Sequence, residues 1–202
     1  MAITTRKLGG VSLPPVGLGC MVLSHAYGNP PPPEVGKKVL ERAVDLGYVH
    51  FDTAALYGFG RNESLLGPVL RARRDRIFLA SKCGMTGVNG VRTVDGRPET
   101  IRVTCDEALE RLGTDVIDLY YLRRIDPNVP LEDTVGAMCE LIDAGKIKGI
   151  GLSEVSAKTL REVHAMQPVL AVQSEYSLWS RNAEVAVLEA CAEIGAAYVA
   201  FS

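Results

Sequence analysis

The sequence predicts a parallel α/β barrel of the (β/α)8 type, and three observations predict it. Short apolar, β-branched runs alternate with helix-period segments along nearly all of the 202 residues. Successive runs lie far enough apart to hold a crossover helix, as neighbouring parallel strands require. Unusual polar residues close several of the runs: Asp52 ends YVHFD, Lys82 ends IFLASK, Arg123 follows LYYL and Ser153 follows IGL. A barrel gathers such strand ends at one mouth. A doubly wound nucleotide-binding sheet would instead carry G-x-G-x-x-G after its first strand, and VGLGCM and KGIGLSE have only G-x-G.

The elements follow in order. Residues 5–20, TRKLGGVSLPPVGLGC, read as a small hairpin leading into the first strand. A stiff PPPP connector at 30–33 precedes a helix over 34–47, with Val35, Val39, Ala43 and Val44 at helical spacing and Gly47 closing it. Strand YVHFDT is followed by helix RNESLLGPVLRA, whose Pro68 belongs in its last turns. After strand RIFLASK comes a Gly-rich loop from Cys83 to Pro98, either a wall of a pocket or an idle surface loop. Pro98 is well placed to start the next helix, PETIRVTCDEALERLG. Then come VIDLYYL, PLEDTVGAMCELIDAG, KIKGIGLS, SAKTLREVHAM, VLAVQSEYS, the helix NAEVAVLEACAEIG and finally AYVAFS. No sequence repeat interrupts this alternation, and 1–202 reads as one domain.

Composition narrows the function classes. A formal charge of −2 and a pI near 6.0 give no basic excess for nucleic acid or an acidic membrane. The N-terminus has no apolar signal core, and no apolar run reaches membrane-spanning length. The five cysteines are scattered, odd in number and without C-x-x-C, which argues against a disulfide framework or a zinc site. His25, His50 and His164 lack metal-ligand spacing and read as solvated or packed histidines, so no metal is expected. A reducing cytoplasm is the expected setting.

Alternation places Asp52 on one face with His50, Lys82 with Ala80, and Arg123 with Tyr121 and Leu119. Tyr57 stands five residues beyond Asp52 in FDTAALYG, so acid, lysine and tyrosine can meet near one point. A phenol, with an ordinary pKa of about 10, is a poor acid near neutrality. A neighbouring ammonium makes a phenol more acidic, and a carboxylate holds that ammonium in place. Together they suit protonation of a carbonyl oxygen as a hydride reaches carbon. Spacing alone fits a buried Asp52–Lys82 ion pair with Tyr57 packed on it equally well.

FDTAALYG, the lysine of LASKCG, LYYLRRIDP, GLSE and QSEYSLWSR together resemble the aldo-keto reductase superfamily. The resemblance is to the branch that holds potassium-channel β subunits and plant and bacterial ketone reductases, and it runs from KLGG to the last residue. It implies a (β/α)8 barrel that binds NADPH across its mouth and reduces a small carbonyl substrate. It implies a catalytic set in which Tyr57 donates the proton, tuned by Lys82 and Asp52. For the cofactor it points to Gly19, Cys20 and Met21, to Asp52 near the nicotinamide ribose, to Ser153 and Gln173 on the carboxamide, to Tyr176 stacked on the ring, and to Ser202. Trp179 could line the substrate mouth or simply pack.

Two departures qualify that expectation. The histidine that completes the family's tetrad falls on Arg123, which is always charged and longer, and which can intrude on the carbonyl site or turn to Asp126. An impaired reductase is therefore expected, with a non-catalytic cofactor-binding subunit as the alternative. The chain also supplies seven strands, VGLG first and AYVAF last, without the further loop, helix, eighth strand and basic site that relatives place next. A barrel lacking its last strand and flanking helices is expected, with two open edges, as a piece of a longer protein or as a chain that a partner completes, a second copy in a homo-oligomer being one such partner.

Overall fold

The computed structural model describes residues 4–88 and 91–202. Residues 1–3, and 89–90 within the expected Gly-rich loop, lie outside the described residues. A hairpin of β1 (Arg6–Leu8) and β2 (Val11–Leu13) comes first, then β3 (Leu18–Gly19), α1 (Pro33–Asp45), β4 (His50–Asp52) and α2 (Arg61–Leu70). Strand β5 (Phe78–Cys83) is followed by a second hairpin, β6 (Met85–Val88) and β7 (Val91–Val94), and by α3 (Pro98–Leu112). The remainder is β8 (Leu119–Leu122), α4 (Leu131–Asp143), β9 (Ile150–Ser153), α5 (Ala157–Met166), β10 (Val169–Glu175), α6 (Val187–Ile194) and β11 (Ala197–Phe201).

Seven parallel strands form one sheet in the order β3-β4-β5-β8-β9-β10-β11, the order of the chain. Among the described residues β3 pairs only with β4, and β11 only with β10. Period-two alternation sorts each strand between two apolar regions. Phe78, Ala80, Leu119, Tyr121 and Ala171 pack together inside the curl. Leu79, Cys83, Tyr120, Leu122, Ile150 and Leu152 face outward into the larger core under the helices. Leu8 and Leu13 of the first hairpin join the inner cluster beside Phe78 and Leu119, which begin their strands. That hairpin therefore plugs the amino-terminal end and leaves the carboxyl end as the mouth.

Three expectations are corrected. Helix α1 buries Gly36, Leu40 and Ala43, while Val35 and Val39 are exposed along an open groove with Leu18 and Leu46. Gly36 sets that face, because a Cβ there would stand 2.9 Å from the Leu65 side chain of α2. The expected helix over 182–195 breaks at Ala186, whose φ of −160° and ψ of −23° divide a 3-10 turn, Asn182–Val185, from α6. The Gly-rich segment after Cys83 is an antiparallel hairpin with register Met85↔Val94, not an irregular loop.

Helix contacts set a stability test. Gly67 of α2 lies against the end of α3, where a Cβ would meet the Arg111 carbonyl oxygen at 2.4 Å. Backbone cannot yield as a side-chain tip does, so Gly67→Ala should cost roughly 1–3 kcal/mol in spite of alanine's better helix propensity. Gly136 in α4 has nothing within 4 Å of its Cβ position, so Gly136→Ala should gain up to about 1 kcal/mol. Urea titrations of the two variants should move in opposite directions; movement in the same direction would remove the packing account.

Candidate active site

Strand ends bring the acid and the lysine together. Asp52 closes β4, and its neighbours in register are Gly19 on β3 and Ala80 on β5. Two residues on, Lys82 points the same way, fully buried, and its Nζ pairs with the Asp52 carboxylate and donates to the Thr53 carbonyl at 2.9 Å. Burial works against the ammonium, yet Asp52 and the Tyr57 oxygen more than offset it, so the Lys82 pKa lies above the ordinary lysine value. Tyr57 lies in the turn after β4, almost fully buried, with Lys82 Nζ 5.0 Å from its ring centre. Asp52, Lys82 and Tyr57 thus form one packed group.

A residue that sequence reasoning missed fixes the loops around them. Asn62, at the start of α2, is fully buried and accepts from the Thr53 hydroxyl at 2.6 Å. Its amide donates to the Cys20 carbonyl at 2.8 Å and to the Ser24 hydroxyl at 2.6 Å. One side chain thereby ties the loop after β3 to the turn that holds Tyr57. A fully satisfied buried amide of this kind specifies one loop arrangement.

Arg123 occupies the mouth beside Tyr57. Its Nη1 donates to the Tyr57 hydroxyl at 3.2 Å, and its guanidinium carbon lies 5.4 Å from the ring centre. It does not turn to Asp126, whose carboxylate is taken by the backbone amides of Gly96 and Asn128, each at 2.9 Å. Arg123 Nε is buried without a partner among the described residues. On the other side His25 stacks on Tyr57 with ring centres 6.0 Å apart, and its Nε2 accepts from Arg92 Nη2 at 2.8 Å. Partial burial, then Arg92, Arg123 and Arg61, hold His25 below the ordinary histidine pKa. The second hairpin is thus a wall of the mouth: it carries Arg92, and Gly87 lies flat against Phe59.

The remaining candidates divide. Gly19 and Cys20 sit beside Asp52, with the Cys20 amide donating to the Asp52 carbonyl at 2.8 Å, and burial pushes the Cys20 thiol up. Met21 begins a short 3-10 turn. Ser153 and Gln173 are register partners on β9 and β10, and Gln173 Nε2 donates to Asp52 Oδ2 at 2.8 Å. Tyr176 stands apart: its hydroxyl donates to Glu184 at 2.7 Å and its ring meets Tyr198 edge-on. Ser202 Oγ lies 3.4 Å from the Tyr27 hydroxyl. Trp179 is almost fully exposed, while His50 and His164 are structural, the first packed edge-on against Phe78 and the second accepting from the Val169 amide.

A parallel barrel sheet with an Asp-Lys-Tyr group at its carboxyl mouth is a specific arrangement, and the Aldo/keto reductase family model matches residues 15–202. The chain belongs to that family. It is 41% identical to a probable aldo-keto reductase 1 from Glycine max, over 97% of this chain and 58% of the relative. The chain therefore spans a little over half the length of that curated relative. Its fold matches the holo form of an aldo-keto reductase from Bacillus halodurans with a TM-score of 0.88 and 28% identity, covering 98% of this chain and 66% of that one. An aldo/keto reductase from Klebsiella pneumoniae, solved with NADP and acetate, matches with a TM-score of 0.82 and 26% identity over 99% of this chain and 68% of that one. The curled seven-stranded sheet is thus the family's (β/α)8-type barrel sheet. Among the described residues, no helix is long and apolar enough to cross a membrane.

Proposed function

We propose that this chain carries the catalytic mouth of an NADP-dependent oxidoreductase that reduces aldehyde or ketone carbonyls to alcohols. The observation that carries the proposal is the buried ammonium of Lys82, held by Asp52 directly beneath Tyr57. Tyr57 donates the proton to the carbonyl oxygen; Lys82 stabilises the phenolate left behind, and Asp52 keeps the ammonium in place. When bound, a reduced nicotinamide supplies the hydride.

The donor set fits that cofactor. The Ser153 hydroxyl has no partner among the described residues, and Gln173 keeps its amide oxygen free while its nitrogen holds Asp52. A free hydroxyl and a free amide oxygen on adjacent strand ends match the donor and acceptor of a carboxamide. Gly19, Cys20 and Met21 would flank it from the first strand's loop, with Asp52 near the ribose. Tyr176 would release Glu184 to stack on the ring, and Ser202 would meet the cofactor at the last strand end. NADP rather than NAD draws support from the neighbour solved with NADP. Five free cysteines suit a reducing cytoplasm, and 1–202 acts as one catalytic unit, open to homo-oligomerisation.

Arg123 qualifies the activity. A charged donor already bonded to the Tyr57 hydroxyl competes for the oxygen that must face a neutral carbonyl, so reduction of simple ketones is impaired. The same contact favours a second reading, a nucleotide-binding subunit without turnover. NADPH oxidation against a panel of aldehydes and ketones separates the two: binding without oxidation of any carbonyl would leave only the second. Ser153→Ala and Gln173→Ala should each weaken NADPH binding about 2- to 10-fold in a fluorescence titration, the worth of one hydrogen bond. Unchanged affinity in both would remove the proposed carboxamide site.

A further inference from the structure

The mouth holds more positive charge than proton donation to a carbonyl requires. Arg61, Arg92 and Arg123 surround His25 and Tyr57, and their described bonds go to the Gly58 carbonyl, to the His25 ring and to the Tyr57 hydroxyl. None of the three has a carboxylate within ion-pairing distance among the described residues. The acids of the neighbourhood are already engaged. Asp52 is held by Lys82 and Gln173, Asp126 by backbone amides, and Glu63 by the Ser81 hydroxyl and Arg111. Half-buried Arg123 has five N–H donors, one described hydrogen bond from its side chain, and a buried Nε without a partner. Leaving a buried charged donor unpaired is costly, and an anion in the mouth relieves that cost.

Resting on the reductase reading, we propose that the preferred substrates are 2-oxo acids, whose carboxylate is held by Arg123 with Arg92 beside it. The spacing selects the 2-oxo class. Arg123 Nη1 lies 3.2 Å from the Tyr57 oxygen that would face the substrate carbonyl, which puts a carboxylate on the adjoining carbon within its reach. Arg92, kept in place by His25, adds a second cation from the hairpin wall. His25 takes the Arg92 bond as an acceptor, and partial burial with the surrounding arginines holds its pKa below the ordinary histidine value. With a reduced nicotinamide as the electron source, a C–H bond forms at the 2-carbon and the carbonyl π pair moves to oxygen. That oxygen takes the Tyr57 proton, so the 2-oxo acid leaves as a 2-hydroxy acid and the nicotinamide is oxidised. The arginine that hinders simple ketones is, for these substrates, the group that aligns the carbonyl.

The test compares pyruvate with 2,3-butanedione, a neutral molecule of nearly the same shape, and adds binding of the unreactive pair oxamate and oxamide by calorimetry on NADPH-loaded protein. Pyruvate should have the higher kcat/KM, and oxamate should bind on the order of 30-fold or more tightly than oxamide. Arg123→His should abolish both preferences and speed butanedione reduction, while Arg92→Ala should raise the KM for pyruvate by a larger factor than the KM for butanedione. Equal binding of oxamate and oxamide, or an unchanged pyruvate-to-butanedione ratio in Arg123→His, would overturn the proposal. Failure to reduce either carbonyl would count against the reductase reading, and the oxamate titration would still decide the anion site.

Discussion

Tyr57→Phe abolishes carbonyl reduction and leaves the fold and cofactor binding intact. The Tyr57 hydroxyl accepts from Arg123 Nη1 at the mouth, and the Lys82 ammonium lies against its ring, so this phenol is placed to give up a proton. General-acid catalysis by a positioned side chain is worth about 100- to 10,000-fold, so turnover should fall by that amount. Packing should barely change, because the ring that Lys82, Arg123 and His25 lie against is retained. The one described hydrogen bond lost, to Arg123, is worth about 1 kcal/mol and lies at the half-buried mouth. The measurement is single-turnover NADPH oxidation beside a thermal melt. Phenylalanine protein that melts like the parent and still reduces carbonyls at the parent rate would show that another group supplies the proton.

The same site shows which parts of the molecule are legible in the sequence. Asp52 and Lys82 can be read because each ends a strand of clear period-two pattern, and a barrel brings strand ends to one place. Tyr57 follows because a short turn keeps it near Asp52. His25, Asn62 and Arg92 are invisible to such reasoning. Their contacts join loop to loop, across 42 residues for Asn62–Cys20 and 67 for Arg92–His25, and no local periodicity encodes them. The face of α1 is only partly legible for a related reason. Ala43 is buried as its spacing suggests, but Gly36 lets α2 approach closely and turns Leu40 inward with it, leaving Val35 and Val39 outside. Arg123 is legible only as a misfit, and its partner is not, since an arginine of that length can reach either Tyr57 or Asp126 from the same strand end.

Lys82→Met should separate the stability role of the buried pair from its catalytic one. The lysine side chain is fully buried and the Asp52 carboxylate nearly so, which makes their pairing a requirement of burial rather than an addition to it. Removing one partner strands the other: Asp52 keeps the Gln173 amide at 2.8 Å but loses its cation. Breaking a buried pair in this way costs about 3–5 kcal/mol, and for a chain of this size each kcal/mol lowers the melting temperature by roughly 2–4 °C. Replacing both partners removes the stranded charge, so Asp52→Asn with Lys82→Met should recover most of the lost stability, with the asparagine still accepting from Gln173. Turnover should not return, because neither the ammonium beneath Tyr57 nor the carboxylate that holds it is present. Calorimetric melts and NADPH oxidation on parent, single and double variants read the two effects independently. A Lys82→Met protein as stable as the parent would mean that Asp52 finds another cation or takes up a proton at no cost. A double variant that regained turnover would show that the ammonium serves the fold alone, and the proton-donor role of Tyr57 would then need a different neighbour to support it.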